Sequence, residues 1–428
     1  MSGRLLLRRA RLLDPAQQLD LKGDLLVEDG RIAAFGHDLV SGPGIETVAC
    51  DGACVAPGII DMRVESRDPG AEHQESMESA GLAAAAGGVT TMVALPNTYP
   101  PIDDVALVEF VARRSRDIRL VNIRTYAAAT KRLEGRELSE YGLLAAAGAV
   151  AFTDADRAIA DAQVMRRALS YARTFDQLLI QHPEEPRLAA GGAMNEGEVA
   201  TRLGLPAIPP AAEVIMVERD LRLVALTGAR LHFAHVSTGA AIEAIRRAKS
   251  RGLPVTCDTA PHYFALNEWE VGAYRTFAKV SPPLRSEDDR RAVIAGLADG
   301  TIDAIASDHS PHDQDSKRLP FASAASGIVG LETLLPLSLA LYHNRDMDLL
   351  AVLRALTLRP AEILRLAAGR LAVGAPADLV IFDLDRPWLI DSAAYRSKSK
   401  NAPYDGRPVQ GRALRTIVGG RTVFTRDD

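Results

Sequence analysis

A chain of 428 residues, 47% hydrophobic and 25% charged, exceeds one ordinary core of about 150 residues. A (β/α)8 barrel runs to about 250 residues as one domain, so a barrel plus a smaller module fits. The net charge of −5 leaves no basic excess to neutralise phosphates, which argues against nucleic acid, and no run of about 18 apolar residues offers a transmembrane helix.

The N-terminal MSGRLLLRRARLLD lacks the sustained apolar stretch and cleavage site of a signal peptide and reads as a first β-strand. GDLLVEDGRIAAFG and TVACDGACVAPG continue as short strands with turn signals. The same texture returns near the C-terminus in ADLVIFDLD and TIVGGRTVF. Residues 1–56 and 370–428 are therefore expected to build one composite β-sandwich module, and residues 57–369 a (β/α)8 TIM-type barrel. Cys50, Cys54 and Cys257 form neither a disulfide framework nor a four-ligand zinc site and suit a reducing, cytoplasmic setting.

Within the middle segment, apolar β-branched runs alternate with helix-forming stretches such as SMESAGLAAAAG and AAIEAIRRAKSRG. The strand candidates are GIIDMRVES, TTMVALPN, LVNIRTYAA, GAVAFTD, QLLIQH, ARLHFAHVS, LPVTCDTAPH and TIDAIASDH. Barrel active sites form at the C-terminal ends of strands. Those ends carry Arg63 and Glu65, Asn97, Tyr126, Asp154, His182, His235, His262, and Asp308 with His309 and His312. Imidazole nitrogens with a carboxylate suit Zn²⁺, which makes His182, His235 and Asp308 candidate ligands. Asp308 also suits a general base, and Arg67 suits a bidentate anchor for a substrate carboxylate.

The motifs APGIIDMRVESRDPGAEHQES, AAAAGGVTTMVALPNTYPPID, HFAHVST, TAPHYF, SPPLR, IASDHSPH, GIVGLET and SKSKNAPYDG resemble the dihydroorotases, a cyclic amidohydrolase group of the metal-dependent amidohydrolase superfamily. The resemblance implies that an H-x-H pair opening the barrel should hold a metal. Arg63 and Glu65 stand at those two positions, and an arginine has no lone pair to donate. Where the family shows FTDDG, this chain reads FTDAD, which puts Ala155 at the shared-ligand position. His182, His235 and Asp308 match the remaining ligands, Asp308 matches the base, and Arg67, Asn97 and His312 match the clamp for the substrate carboxylate. Zinc is implied at a partial site at most, bound weakly or not at all.

With three ligand positions lost, the resemblance points to a subunit of de novo pyrimidine synthesis that is non-catalytic or weakly active and supports aspartate carbamoyltransferase. The other implied reading is an active dihydroorotase interconverting N-carbamoyl-L-aspartate and dihydroorotate with a single residual metal. Hydantoinase-like relatives would need a lysine near Phe152 to Asp156, and none is there. The expected partners are aspartate carbamoyltransferase, carbamoyl aspartate or dihydroorotate, and further copies of the chain in a homo-oligomer. Residues two apart on a strand face one side, so Arg63 is expected to pair with Asp308 or Glu65 in place of a metal cation.

Overall fold

The computed structural model describes residues 3–426; the first and last two residues of the expected composite module lie outside them. From the N-terminus run β1 (Arg4–Asp14), β2 (Leu19–Glu28), β3 (Arg31–Gly36), β4 (Ile45–Ala49) and β5 (Cys54–Pro57). The barrel strands follow as β6 (Ile59–Val64), β7 (Val89–Ala94), β8 (Asn122–Thr125) with its continuation β9 (Ala127–Ala128), β10 (Phe152–Thr153) and β11 (Leu179–Gln181). A short parallel pair, β12 (Met194–Asn195) and β13 (Ala207–Ile208), interrupts before β14 (Leu231–Phe233), β15 (Val255–Thr259) and β16 (Ala304–Ile305). The chain closes with β17 (Leu379–Leu389), β18 (Pro408–Val418) and β19 (Arg421–Thr425).

The barrel strands pair in parallel, β6 to β7 to β8 and β9 through β10, β11, β14 and β15 to β16. The ring shuts where Val64 bridges His309 and the Glu65 amide donates to the His309 carbonyl at 2.9 Å. Closure thus brings the first strand end against the last, which places Arg63 and Glu65 beside Asp308. The strands are buried on both faces, as parallel strands under a helical layer must be.

Both chain ends share one eight-stranded path, β19-β18-β17-β5-β1-β2-β3, with β4 alongside β1. Its two ends curl together around a common core that includes Leu7, Leu25, Ile32, Ile381 and Ile417, and the Ala377 amide meets the Gly30 carbonyl at 2.9 Å. β5 is the seam, parallel to β1 and antiparallel to β17. No helix among the described residues is long and apolar enough to cross a membrane.

Candidate functional site

Four residues at the strand ends adopt left-handed backbone conformations without being glycine: Arg67 (φ 55°), Ala155 (φ 60°), His235 (φ 40°) and Asp308 (φ 52°). Each such residue costs on the order of 1–3 kcal/mol unless its surroundings impose it, and such strain clusters at functional sites. At the first strand the chain turns through Asp-Pro-Gly. Gly70 has φ 109°, and a Cβ there would lie 2.3 Å from the Tyr99 carbonyl oxygen. The turn leads into the helix Met77–Ala86, capped by Ser76, whose first-turn partner Ser79 completes a capping box.

Two ion pairs cross the mouth. Arg63 Nε donates to Asp308 Oδ1 at 2.6 Å, with side chains 5% and 14% exposed, and its Nη2 donates to the Ala155 carbonyl at 3.4 Å. Glu65 pairs with Arg67 Nη1 at 2.6 Å and accepts from Ser310 Oγ at 3.1 Å. The rest of the Arg67 fork reaches the Pro311 carbonyl and Ser310 Oγ, each at 3.2 Å. Of the two partners expected for Arg63, the structure selects Asp308, because Glu65 turns to Arg67 instead.

Burial works against the Arg63 charge, but the Asp308, Asp258 and Glu65 carboxylates outweigh it and raise its pKa. Burial also lifts the Asp308 carboxyl above the ordinary range, while Arg63 pulls it back. Asp308 Oδ2 faces His262 Nε2 at 3.7 Å. His262 is fully buried with neither ring nitrogen hydrogen-bonded, and burial followed by the Arg63 charge pushes its pKa down to about 3. His262 is therefore a neutral ring at working pH.

His182 Nδ1 and His235 Nε2 lie 3.1 Å apart, sharing one hydrogen bond. His182 Nε2 faces Glu184 Oε2 at 3.7 Å, and Glu184 accepts from Ser281 Oγ at 3.1 Å. Burial, then the charges of Arg63 and the neighbouring His182, hold the His235 pKa well below its usual value. This face opens into a cleft of about 660 Å³ lined by Arg136, Asp156, Arg157, His182 and Glu184. A larger cavity of about 820 Å³, lined by Phe264, Arg290, Leu337 and Arg407, contains none of the strand-end residues named above.

The other expected residues fall as follows. Asp154 turns away from the mouth, accepting from the Thr130 amide at 2.8 Å and from Thr130 Oγ1; burial lifts its pKa to about 6. Tyr126 is buried with its hydroxyl on the Met62 carbonyl at 2.8 Å. Asn97 is half-buried, and its side chain has no partner among the described residues. His312 Nε2 donates to the Ser326 carbonyl at 2.8 Å, and burial with the Arg67 charge lowers its pKa to about 4. Arg67, expected as an anchor for a substrate carboxylate, has its fork on Glu65, the Pro311 carbonyl and Ser310 Oγ, because the residue two before it is itself a carboxylate.

Several supporting residues carry no role in the sequence reading. Glu213, fully buried, accepts from the amides of Ser237 and Thr238, each at 3.0 Å, and so fixes the loop that follows His235. Arg285, from SPPLR, bridges Ser237 Oγ and Asn195 Oδ1 at 3.0 Å each. Asp258 accepts from the His235 amide and from His232 Nε2 at 2.9 Å. A carboxylate in a helix otherwise facing the barrel, as Glu213 is, was the available signal.

These residues do not fit a pair of metal ions. Among the described residues no three His, Cys, Asp or Glu side chains gather as a ligand group. The strand-eight carboxylate is taken by Arg63, the strand-four aspartate faces Thr130, and two imidazoles alone fall short of the three protein ligands of a catalytic zinc. The expected residual set of His182, His235 and Asp308 is therefore split by a permanent cation.

The architecture and the polar strand ends define an amidohydrolase-type barrel. Residues 52–241 match the family described as Dihydro-orotase-like, and residues 298–424 the Amidohydrolase family. The chain is 48% identical to the dihydroorotase of Anaplasma phagocytophilum, covering 97% of this chain and 94% of that one, and 46% identical to the dihydroorotase of Pelobacter propionicus, covering 99% and 100%. Among solved structures, the L-hydantoinase of Arthrobacter aurescens superposes with a TM-score of 0.88 at 26% identity, covering 100% and 97% of the chains. The dihydropyrimidinase of Brevibacillus agri gives 0.86 at 20% identity, covering 99% and 95%, and shares the fold. The chain belongs to the dihydroorotase family.

This overturns the expectation of a non-catalytic subunit. Relatives between 43% and 48% identical over nearly the full length are named dihydroorotases. The loss of H-x-H removes metal ligands but leaves the Asp308 carboxylate at the eighth strand end.

Proposed function

We propose that this chain is a dihydroorotase, opening and closing the cyclic amide between N-carbamoyl-L-aspartate and dihydroorotate at the barrel mouth. The observation that carries the reading is near full-length identity of up to 48% with dihydroorotases. Asp308 supports it: the carboxylate stands at the eighth strand end with Oδ2 free of strong partners and with raised proton affinity. In the hydrolytic direction Oδ2 takes a proton from the attacking water and returns it to the departing ring nitrogen. Arg67, Asn97 and His312 are proposed to receive the substrate carboxylate, with Asn97 contributing its unpartnered amide and Arg67 exchanging Glu65 for the substrate. An association with aspartate carbamoyltransferase, implied by resemblance, is a separate proposal that co-elution of the two purified proteins checks.

The test measures ring closure of N-carbamoyl-L-aspartate and ring opening of dihydroorotate by absorbance, with Asp308→Asn as the control. Turnover that is lost in the variant is the expected result. Turnover no higher than that of Asp308→Asn would overturn the reading.

A further inference from the structure

The misfit between the family's metal requirement and this mouth has a definite chemical form. A guanidinium spans the first, fourth and eighth strand ends, touching Asp308 Oδ1 at 2.6 Å and the Ala155 carbonyl at 3.4 Å. Those contacts join two positions at which the resemblance places metal ligands. The Arg63 side chain is 5% exposed, so its place is fixed by packing. Its Nη1 makes no hydrogen bond among the described residues.

We infer that the Arg63 guanidinium takes the place of the metal pair, holding the Asp308 carboxylate and offering Nη1 as the fixed positive donor to the amide oxygen of the substrate. The inference rests on the proposed dihydroorotase reaction for its catalytic part, but not for its electrostatic part.

Two observations favour it. The buried Asp258 carboxylate and the largely covered Asp308 carboxylate both act on Arg63, and a buried charge without a counter-charge is costly. Two neighbouring guanidiniums are committed elsewhere, Arg67 to Glu65 and Arg285 to Ser237, Asn195 and Glu213.

The step balances without another reactant. The water oxygen bonds to the ring carbonyl carbon, and its proton passes to Asp308 Oδ2. The π electrons move onto the carbonyl oxygen, which accepts from Arg63 Nη1. Collapse of that intermediate reforms the C=O bond and breaks the C–N bond, while Asp308 returns its proton to the nitrogen. The new carboxyl group releases its own proton to solvent. A guanidinium stabilises an oxyanion but does not bind and acidify the water, so the work of activating water falls on Asp308.

The experiment uses the full chain purified without chelator. Metal content is measured, then turnover and melting temperature are compared after chelator dialysis and after addition of Zn²⁺, for wild type, Arg63→Lys and Arg63→Met. The expected results are no stoichiometric metal and wild-type turnover and melting temperature unchanged by chelator or zinc. Arg63→Met should lose about 10²–10³ in kcat with KM little altered, the usual loss of one oxyanion donor, and Arg63→Lys should recover part of it.

Stoichiometric metal with turnover restored by zinc after chelation would overturn the inference and leave the dihydroorotase reading intact. Should wild type show no turnover under any condition, the dihydroorotase reading fails, and the electrostatic part is judged on stability alone. A lower melting temperature in Arg63→Met than in Arg63→Lys, with no zinc effect on wild type, supports it; a rise on adding zinc refutes it. Should Arg63→Met not fold, the metal and chelator measurements on wild type and Arg63→Lys decide alone.

Discussion

Replacing Glu65 by glutamine should tighten binding of N-carbamoyl-L-aspartate. Glu65 lies 2.6 Å from Arg67 Nη1, with side chains 10% and 15% exposed, so water screens the pair only partly. A substrate carboxylate that reaches Arg67 must first displace this internal one. Glutamine removes the competing charge while keeping the shape and an oxygen acceptor for Ser310 Oγ. Two unit charges about 4 Å apart interact by about 4 kcal/mol at the effective dielectric near a protein surface, of which desolvation leaves about 1.5–3 kcal/mol net. At about 1.4 kcal/mol per tenfold, that is an affinity gain of about 10-fold to 100-fold. Calorimetric titration of N-carbamoyl-L-aspartate into wild type, Glu65→Gln, Arg67→Gln and the double variant measures it, with KM as a second reading. Arg67→Gln should weaken binding and abolish the gain in the double variant. An unchanged Kd in Glu65→Gln, or a gain that persists without Arg67, would refute the reasoning.

Glu213→Ala should lower stability by about 3–5 kcal/mol in urea unfolding, because it strips a buried network of its acceptor and leaves Arg285 uncompensated; a loss under about 1 kcal/mol would contradict the assigned role. Gly70→Ala should destabilise the turn and reduce turnover, since the added Cβ meets the Tyr99 carbonyl at 2.3 Å and φ is 109°; an unchanged melting temperature would count against it. Burial raises the Glu332 pKa from 4.5 to about 7, against the pull of hydrogen bonds from the Arg396 and Ser397 amides. The folded state then holds the proton more tightly than the unfolded one. The Glu332 contribution to stability is therefore fully present below about pH 4.5 and lost as pH rises through about 7. Glu332→Gln should flatten that part of the stability profile, and an identical profile would refute it.

The sequence by itself determined the barrel, its attached β-module and the polar strand ends. Alternating apolar strands and amphipathic helices have one economical closed packing, and a strand-end position follows directly from where an apolar run stops. It also put Arg63 and Glu65 together at the end of the first barrel strand. Only the tertiary structure decided who pairs with whom. Asp308 is 245 residues from Arg63, and it is the closing bridge from Val64 to His309 that brings them into contact. The same closure brings Ser310 to the Glu65–Arg67 pair. Asp154 likewise reads as a mouth residue by register, yet the backbone at Ala155 enters the left-handed region and the carboxylate settles on Thr130. Local pattern determines which residues arrive at the mouth, but long-range charge pairing in a low-dielectric interior decides which of them remain available to a substrate.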